Sequence, residues 1–202
     1  MSWIDKASVF LVLAMSGHSL AQQDVPSAFD KCRIVTSSDL TDGKAPTFAA
    51  YRASVAQVSD SPKLDLKSNS TARMYRTVLR QEISQGPNFA GHYRVAIWGC
   101  GSSCAMFAVV NLSTGRVITP EGFSATSAVY FGIDDQKVFP ESQSQSGLFG
   151  FRKDSKLLVV LGDLDEDENR EGAFYFILED ERLRLIHSTL VEKDCEKLRE
   201  KR

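Results

Sequence analysis

The side chains with chemistry to offer are few. Four cysteines stand at Cys32, Cys100, Cys104 and Cys195. Cys100-Gly-Ser-Ser-Cys104 has three residues between its sulfurs, whereas thioredoxin-type redox motifs have two and seat a thiol on a helix N-terminus. The flanks here read as strands, so no helix end is in place to lower a thiol pKa. A structural bridge is the expected role. Four cysteines allow three pairings. Cys100–Cys104 closes a short loop with little search, and Cys32–Cys195 then ties the two ends of the chain together. In the chain-entropy model the long closure stabilises by at most about 5 kcal/mol and the short one by about 2.

Acid–base chemistry has a thin supply. The histidines are His18, His92 and His187. His92 and Cys100 invite a base–nucleophile pair, but along an extended strand they lie about 26 Å apart. His92 is therefore expected to be a hydrogen-bonded structural residue. No Gly-x-Ser-x-Gly elbow, zinc-protease helix or phosphate loop occurs, and no catalytic set is assigned. Paired carboxylates, drawn from Asp134, Asp135 or Asp163, leave hydrolysis open as an alternative.

One acidic run suggests a cation. Asp163, Asp165 and Asp167 alternate with other residues through Asn169 and Glu171, a spacing that can wrap calcium. The EF-hand pattern fails, with Glu168 where glycine belongs and Phe174 where the bidentate glutamate belongs. A solvated hairpin loop is the simpler reading, and calcium is the only cofactor suggested.

The elements that must carry these residues fall into three zones. Residues 1–21 read as a signal peptide: an apolar core from Ala7 to Met15, a breaker at Gly17, and Ser19-Leu20-Ala21 for cleavage after Ala21. The core is too short for a spanning anchor of about 20 residues. The expected destination is the periplasm or the medium. Residues 22–69 are polar, with Pro26, Pro46 and Pro62, and read as an irregular arm clamped at Cys32, with a short strand available within Phe48–Val58. Residues 70–202 read as a strand-rich globular domain.

That domain opens with one helix. Ser70 or Thr71 caps it, Met74, Val78, Leu79 and Ile83 give its apolar spacing, and Gly86-Pro87 ends it. Arg73, Arg76 and Arg80 line the other side as a solvated face or, on a sharper view, an anion-binding stripe. Strands follow. In His92–Trp98, Tyr93, Val95 and Ile97 share one face, and Arg94, Ala96 and Trp98 the other. Ala105–Asn111 is apolar enough to be covered on both faces. Further strands are expected at 116–119, 128–133, 147–151 and 156–161. A hairpin at 173–188 turns about Glu179-Asp180-Glu181. Tight turns between neighbours predict an antiparallel meander, class α+β with β dominant.

Gly86-Pro87-Asn88-Phe89-Ala90-Gly91-His92-Tyr93, with Trp98-Gly99-Cys100-Gly101, Cys104 and Thr114-Gly115, resembles a family of small exported bacterial proteins of unknown function. The similarity runs from about Thr71 to Ile186. It implies export and carries no activity. From the residues alone, Asn88 to Gly91 reads as tight backbone packing, with Gly91 permitting an unusual turn.

A net charge of −2 supplies no basic excess for nucleic acid. No later apolar run has the length of a membrane span. The expectation is a non-catalytic binding domain, inhibitors and immunity proteins included, meeting a protein partner in the cell envelope through sheet edges or hairpin loops.

Overall fold

Alternating apolar side chains build the first hairpin. β1 (Tyr93–Gly101) and β2 (Cys104–Asn111) pair antiparallel, from Tyr93↔Asn111 to Gly99↔Ala105. Val95, with Tyr93 and Ile97, enters one core, while Ala96 and Trp98 enter another. β2 is covered on both faces: Ala105, Phe107 and Val109 join the first core, Ala108 and Val110 the second. Both assignments agree with the alternation in the sequence.

The computed structural model describes residues 44–55, 63–102, 104–127 and 148–190. The expected signal peptide, Cys32, Cys195, Asp134, Asp135, the expected strand at 128–133 and the tail from Val191 lie outside them. Beyond the first hairpin run β3 (Val117–Ile118), β4 (Ala125–Ser127), β5 (Phe149–Phe151), β6 (Leu157–Leu164), β7 (Glu171–Glu179) and β8 (Arg182–Leu190). They form one eight-stranded antiparallel sheet in the order β1-β2-β4-β6-β7-β8; β3 pairs with β2, and β5 with β6. The class is α+β with β dominant, as expected.

The sheet curls around its main core. Val95 of β1 and Leu183 of β8, at opposite ends of the strand order, belong to one buried cluster with Phe107, Phe149, Phe151 and Phe176. Its aromatic rings meet edge-on or tilted, Phe107 lying 5.2 Å from Phe149 and Phe123 5.6 Å from Phe176. The outer face is covered in two places. Helices cover Ala96, Ala108 and Val110. Residues 44–51 cover Leu157, Val159, Leu161, Tyr175 and Ile177.

Two short helices replace the single one expected. α1 (Ser70–Met74) and α2 (Arg76–Ile83) meet at Tyr75, whose φ of −104° and ψ of 22° leave the helical region. Tyr75 is held by the sheet: its ring lies 4.7 Å from that of Trp98, and its hydroxyl is 3.3 Å from Met106 Sδ. The cap is Asn69 rather than Ser70 or Thr71. Its Oδ1 accepts from the Ala72 amide at 2.9 Å, while its Nδ2 donates to the Val117 carbonyl at 3.0 Å. The buried stripe is Ala72, Leu79 and Ile83, with Tyr75 and Val78 beside it. Met74, expected on that stripe, is instead 70% exposed.

The described part of the arm is bound to the sheet. Phe48–Ala50 forms a 3-10 turn in place of the expected strand. Buried Ser155 fixes it, its hydroxyl lying 3.1 Å from the Phe48 carbonyl and 3.0 Å from that of Tyr51. Residues 63–69 run beside the β2–β3 turn, where the Asp65 amide donates to the Gly115 carbonyl at 2.9 Å. Gly115 has φ +81°, and a Cβ there would overlap the Lys63 carbonyl. The close approach therefore requires glycine.

Arg94 ties the helices to β1. It is 8% exposed. Its Nε and Nη2 donate to Glu82 Oε2 at 3.0 and 2.9 Å, Nη1 to the Gly86 carbonyl at 2.9 Å, and Nη2 also to Gln85 Oε1 at 2.7 Å. A buried guanidinium is tolerated because its donors are met this fully.

Candidate binding groove

Two turns with left-handed backbone frame one groove. The first follows from Asn88. Its buried side chain mimics a strand neighbour: Oδ1 accepts from the Val95 amide at 2.8 Å, and Nδ2 donates to the Val95 carbonyl at 3.1 Å. Phe89 then enters the core, edge-on to Phe151 at 6.5 Å. The chain turns sharply at Ala90 and Gly91, with φ +42° and +84°. The Ala90 amide donates to the Ser155 carbonyl at 3.1 Å, and that of Gly91 to Lys153 at 2.7 Å. The block from Asn88 to Gly91 is thus tight backbone packing, as the sequence suggested.

The second turn joins β7 to β8. Glu179 pairs with Arg182, so Asp180 and Glu181 alone form the turn, with φ +48° and +56°. Asn-Gly is the usual choice for such a turn, and an Asp-Glu pair is strained there. Side chains from the far end of β2 and from the turn after it brace the hairpin. Asn111 Nδ2 donates to Glu181 Oε1 at 2.8 Å, and Arg116 Nη1 lies 3.2 Å from Glu181 Oε2. Behind the turn, Arg184 Nη2 reaches Glu179 Oε2 at 2.7 Å.

Between the two turns lies an open groove of about 680 Å³. Ala53 and Ser54 of the arm, Ala90, Leu178 and the turn acids line it, together with His92, Tyr93 and Lys156. The His92 and Tyr93 rings lie 4.4 Å apart. Burial, and then the negative charge of Glu181, push the Tyr93 phenol above its ordinary value, so it remains a protonated donor. The groove offers an aromatic wall, a small apolar floor, a lysine cation and carboxylates. Such a set orients a ligand by charge and hydrogen bonds around an apolar contact. A second depression of about 490 Å³ flanks the same turn, lined by Glu121, Arg182 and Arg184 among others.

The residues singled out in the sequence are dispersed. Cys100 and Cys104 are bonded to each other, with Cα atoms 5.2 Å apart, at the end of β1 away from His92. Cys100 is the extra residue of a β-bulge, since the register shifts between Gly99 and Gly101. A bridged Cys100 cannot act as a nucleophile for His92. His187 lies on β8, its ring 5.4 Å from that of Tyr175.

Asp163, Asp165 and Asp167 do not converge as a ligand set. Among the described residues, no group of three or more acidic, histidine or cysteine side chains is placed to hold a metal ion. Asp165 Oδ1 accepts from the Ser124 amide at 2.9 Å, the Ser124 hydroxyl at 3.0 Å and the Ala125 amide at 3.0 Å. Partial burial pushes its pKa up, but those donors and the charge of Arg170 outweigh burial and hold it below the usual carboxylate range. Asp167 caps a 3-10 turn at Glu168–Arg170 by accepting from the Asn169 amide at 2.9 Å. Asp163 belongs to β6 rather than to a loop, because the ladder continues there: it pairs with Ser127 of β4 and Glu171 of β7. Asp163 and Glu171 thus stand as direct cross-strand neighbours, Glu171 only 2% exposed.

The groove itself was not read from the sequence. Asn111 and Glu181 are 70 residues apart, and no local pattern links them. The one available signal was an acidic pair in a tight turn where Asn-Gly is usual.

Comparison of the chain with protein-family models, curated proteins and solved structures finds no match. Among the described residues no helix is long and apolar enough to cross a membrane.

Proposed function

We propose that this chain is an exported, non-catalytic binding domain whose contact site is the groove between the Ala90-Gly91 turn and the Asp180-Glu181 turn. The carrying observation is that non-glycine residues hold left-handed backbone on both walls of one groove. Conformations of that kind persist where surrounding structure over-determines them, and they cluster at ligand sites. The braces on Glu181 pre-organise the site, which lowers the entropy lost on binding. A segment of a protein partner in the cell envelope suits an open groove of mixed charge, and inhibitors and immunity-type proteins fall in this class.

Export rests on the N-terminal apolar core and the small residues before Gln22. The resemblance of the Gly86–Tyr93 block to exported proteins supports it. N-terminal sequencing of protein from the envelope or medium should begin at Gln22. A chain that still begins at Met1 would rule out cleavage.

The binding test is a pull-down from envelope extract with the oxidised protein and a K156E/D180K variant. The charges of the groove are exchanged while both residues lie outside the core. A partner retained by the parent and lost by the variant supports the reading. The same proteins recovered by both, or by neither, would overturn it.

A second reading, hydrolysis of envelope material by paired carboxylates, draws on the facing of Asp163 and Glu171. The burial of Glu171, only 2% exposed, weighs against it, since hydrolysis needs water and substrate at both acids. Unchanged turnover of envelope glycan by D163N/E171Q would end that reading.

A further inference from the structure

Met74, the last residue before the break at Tyr75, is turned out of the core and stands next to Arg73 in the chain. Arg73, Arg76 and Arg80 are all exposed. Arg73 Nη1 lies 3.4 Å from the Leu66 carbonyl, and Arg76 Nη1 3.2 Å from the Arg73 carbonyl, so among the described residues two of the three touch backbone oxygens and no carboxylate. Exposed Lys67 follows Leu66 and adds a fourth cation. Among the described residues, the two acids nearest in the chain are committed elsewhere. Glu82, the one acid within the two helices, is held by buried Arg94. Asp65 Oδ1 accepts from the Lys67 amide at 2.9 Å and Oδ2 from the Ser68 hydroxyl at 3.1 Å. In a chain of net charge −2 this face is strongly positive, and it carries a long apolar side chain that is 70% exposed.

We propose that the Arg73–Arg76–Arg80 face, with Met74 projecting from it, docks peripherally on an anionic phospholipid surface. Guanidinium forks match phosphate oxygens in pairs. The three arginines are exposed along two successive helices and line neither described groove, which suits a planar array of phosphates better than a shaped ligand. Met74 can enter the boundary between headgroups and acyl chains, as apolar residues of interfacial helices do. Two weak signals, charge and one inserted side chain, together give reversible attachment rather than anchoring. This contact is independent of the groove, which leaves the groove open to a partner at the same surface.

Co-sedimentation with vesicles tests it. The probes are phosphatidylcholine vesicles with and without phosphatidylglycerol, at low and physiological salt. The oxidised protein should partition onto the anionic vesicles alone, and less so as salt rises. R73Q/R76Q/R80Q should weaken that partition about a hundredfold, and M74S several-fold, both with unchanged circular dichroism. Four outcomes overturn the proposal: no binding to anionic vesicles, equal binding to neutral ones, no effect of salt, or a triple variant that binds like the parent. If soluble polyglutamate binds the parent and the vesicles do not, the face serves an acidic protein and the lipid reading falls.

Discussion

Asn111 and Glu181 join the far end of β2 to the tip of the β7–β8 hairpin through one 2.8 Å hydrogen bond. Asn111 is buried, and its Oδ1 also accepts from the Ser113 amide at 2.9 Å. Asn111→Ala removes both contacts and the 3.5 Å donation from Nδ2 to the Tyr93 hydroxyl, and leaves Glu181 with Arg116 among the described residues. The expected loss is about 1–3 kcal/mol, read as a lower urea midpoint with an unchanged slope. A midpoint equal to the parent's would show that the tip is held from elsewhere.

Arg94 and Glu82 should be worth more than any exposed pair. Glu82→Ala strands a buried guanidinium, and breaking such a pair from one side costs about 3 kcal/mol. Glu179→Ala breaks an ion pair whose members are both well exposed, with an expected loss under about 1 kcal/mol. Parallel urea titrations rank the two, and the reverse order would contradict the burial argument.

Asp165 sets an acid limit on the β6 end of the sheet. A carboxylate whose folded pKa lies below its unfolded value, about 3.9, contributes stability that is fully present above that value. The contribution is lost as pH falls through the lower, folded pKa. Thermal melts should therefore drop below about pH 4 in the parent. Asp165→Asn should melt lower at neutral pH and show a shallower acid drop. Parallel curves for the two proteins would place the acid transition in other groups.

Removing the Cys100–Cys104 bridge should leave the fold intact. The loop it closes is short, and pairs from Tyr93↔Asn111 to Gly99↔Ala105 already fix the hairpin. C100S/C104S should lose about 2 kcal/mol or less, with an unchanged far-ultraviolet spectrum. Loss of the spectrum would mean that the bridge, rather than the ladder, sets the register.

Local pattern carried much of the fold. Period-two alternation gave the faces of β1, and unbroken apolar character gave the doubly covered β2. Where the pattern failed, a distant contact had decided. Met74 fits an apolar spacing on paper, but Tyr75 stacks on Trp98 and breaks the helix, which moves the buried stripe onto Ala72, Leu79 and Ile83. Asn69 outcompetes Ser70 and Thr71 as the cap because its amide also reaches Val117. The three described residues of β4 show no marked pattern, and they are held because β2 and β6 both offer them partners. Asp165 read as a loop acid because Ser124, its main donor, lies 41 residues away. The groove was least legible of all, since the arm, β1, β6 and the last hairpin each contribute a few residues from separate parts of the chain.

Across the middle of the sheet, β4 meets β6 among the described residues through Thr126↔Leu164 and Ser127↔Asp163. The aromatic interior, by contrast, runs without a gap from Phe107 through Phe149 to the residues of β7. Mechanical continuity between the two halves of the described sheet therefore draws on its oil-like filling as well as on its backbone seam. An agent that loosens apolar packing would weaken the hold between those halves while each still kept its own hairpin.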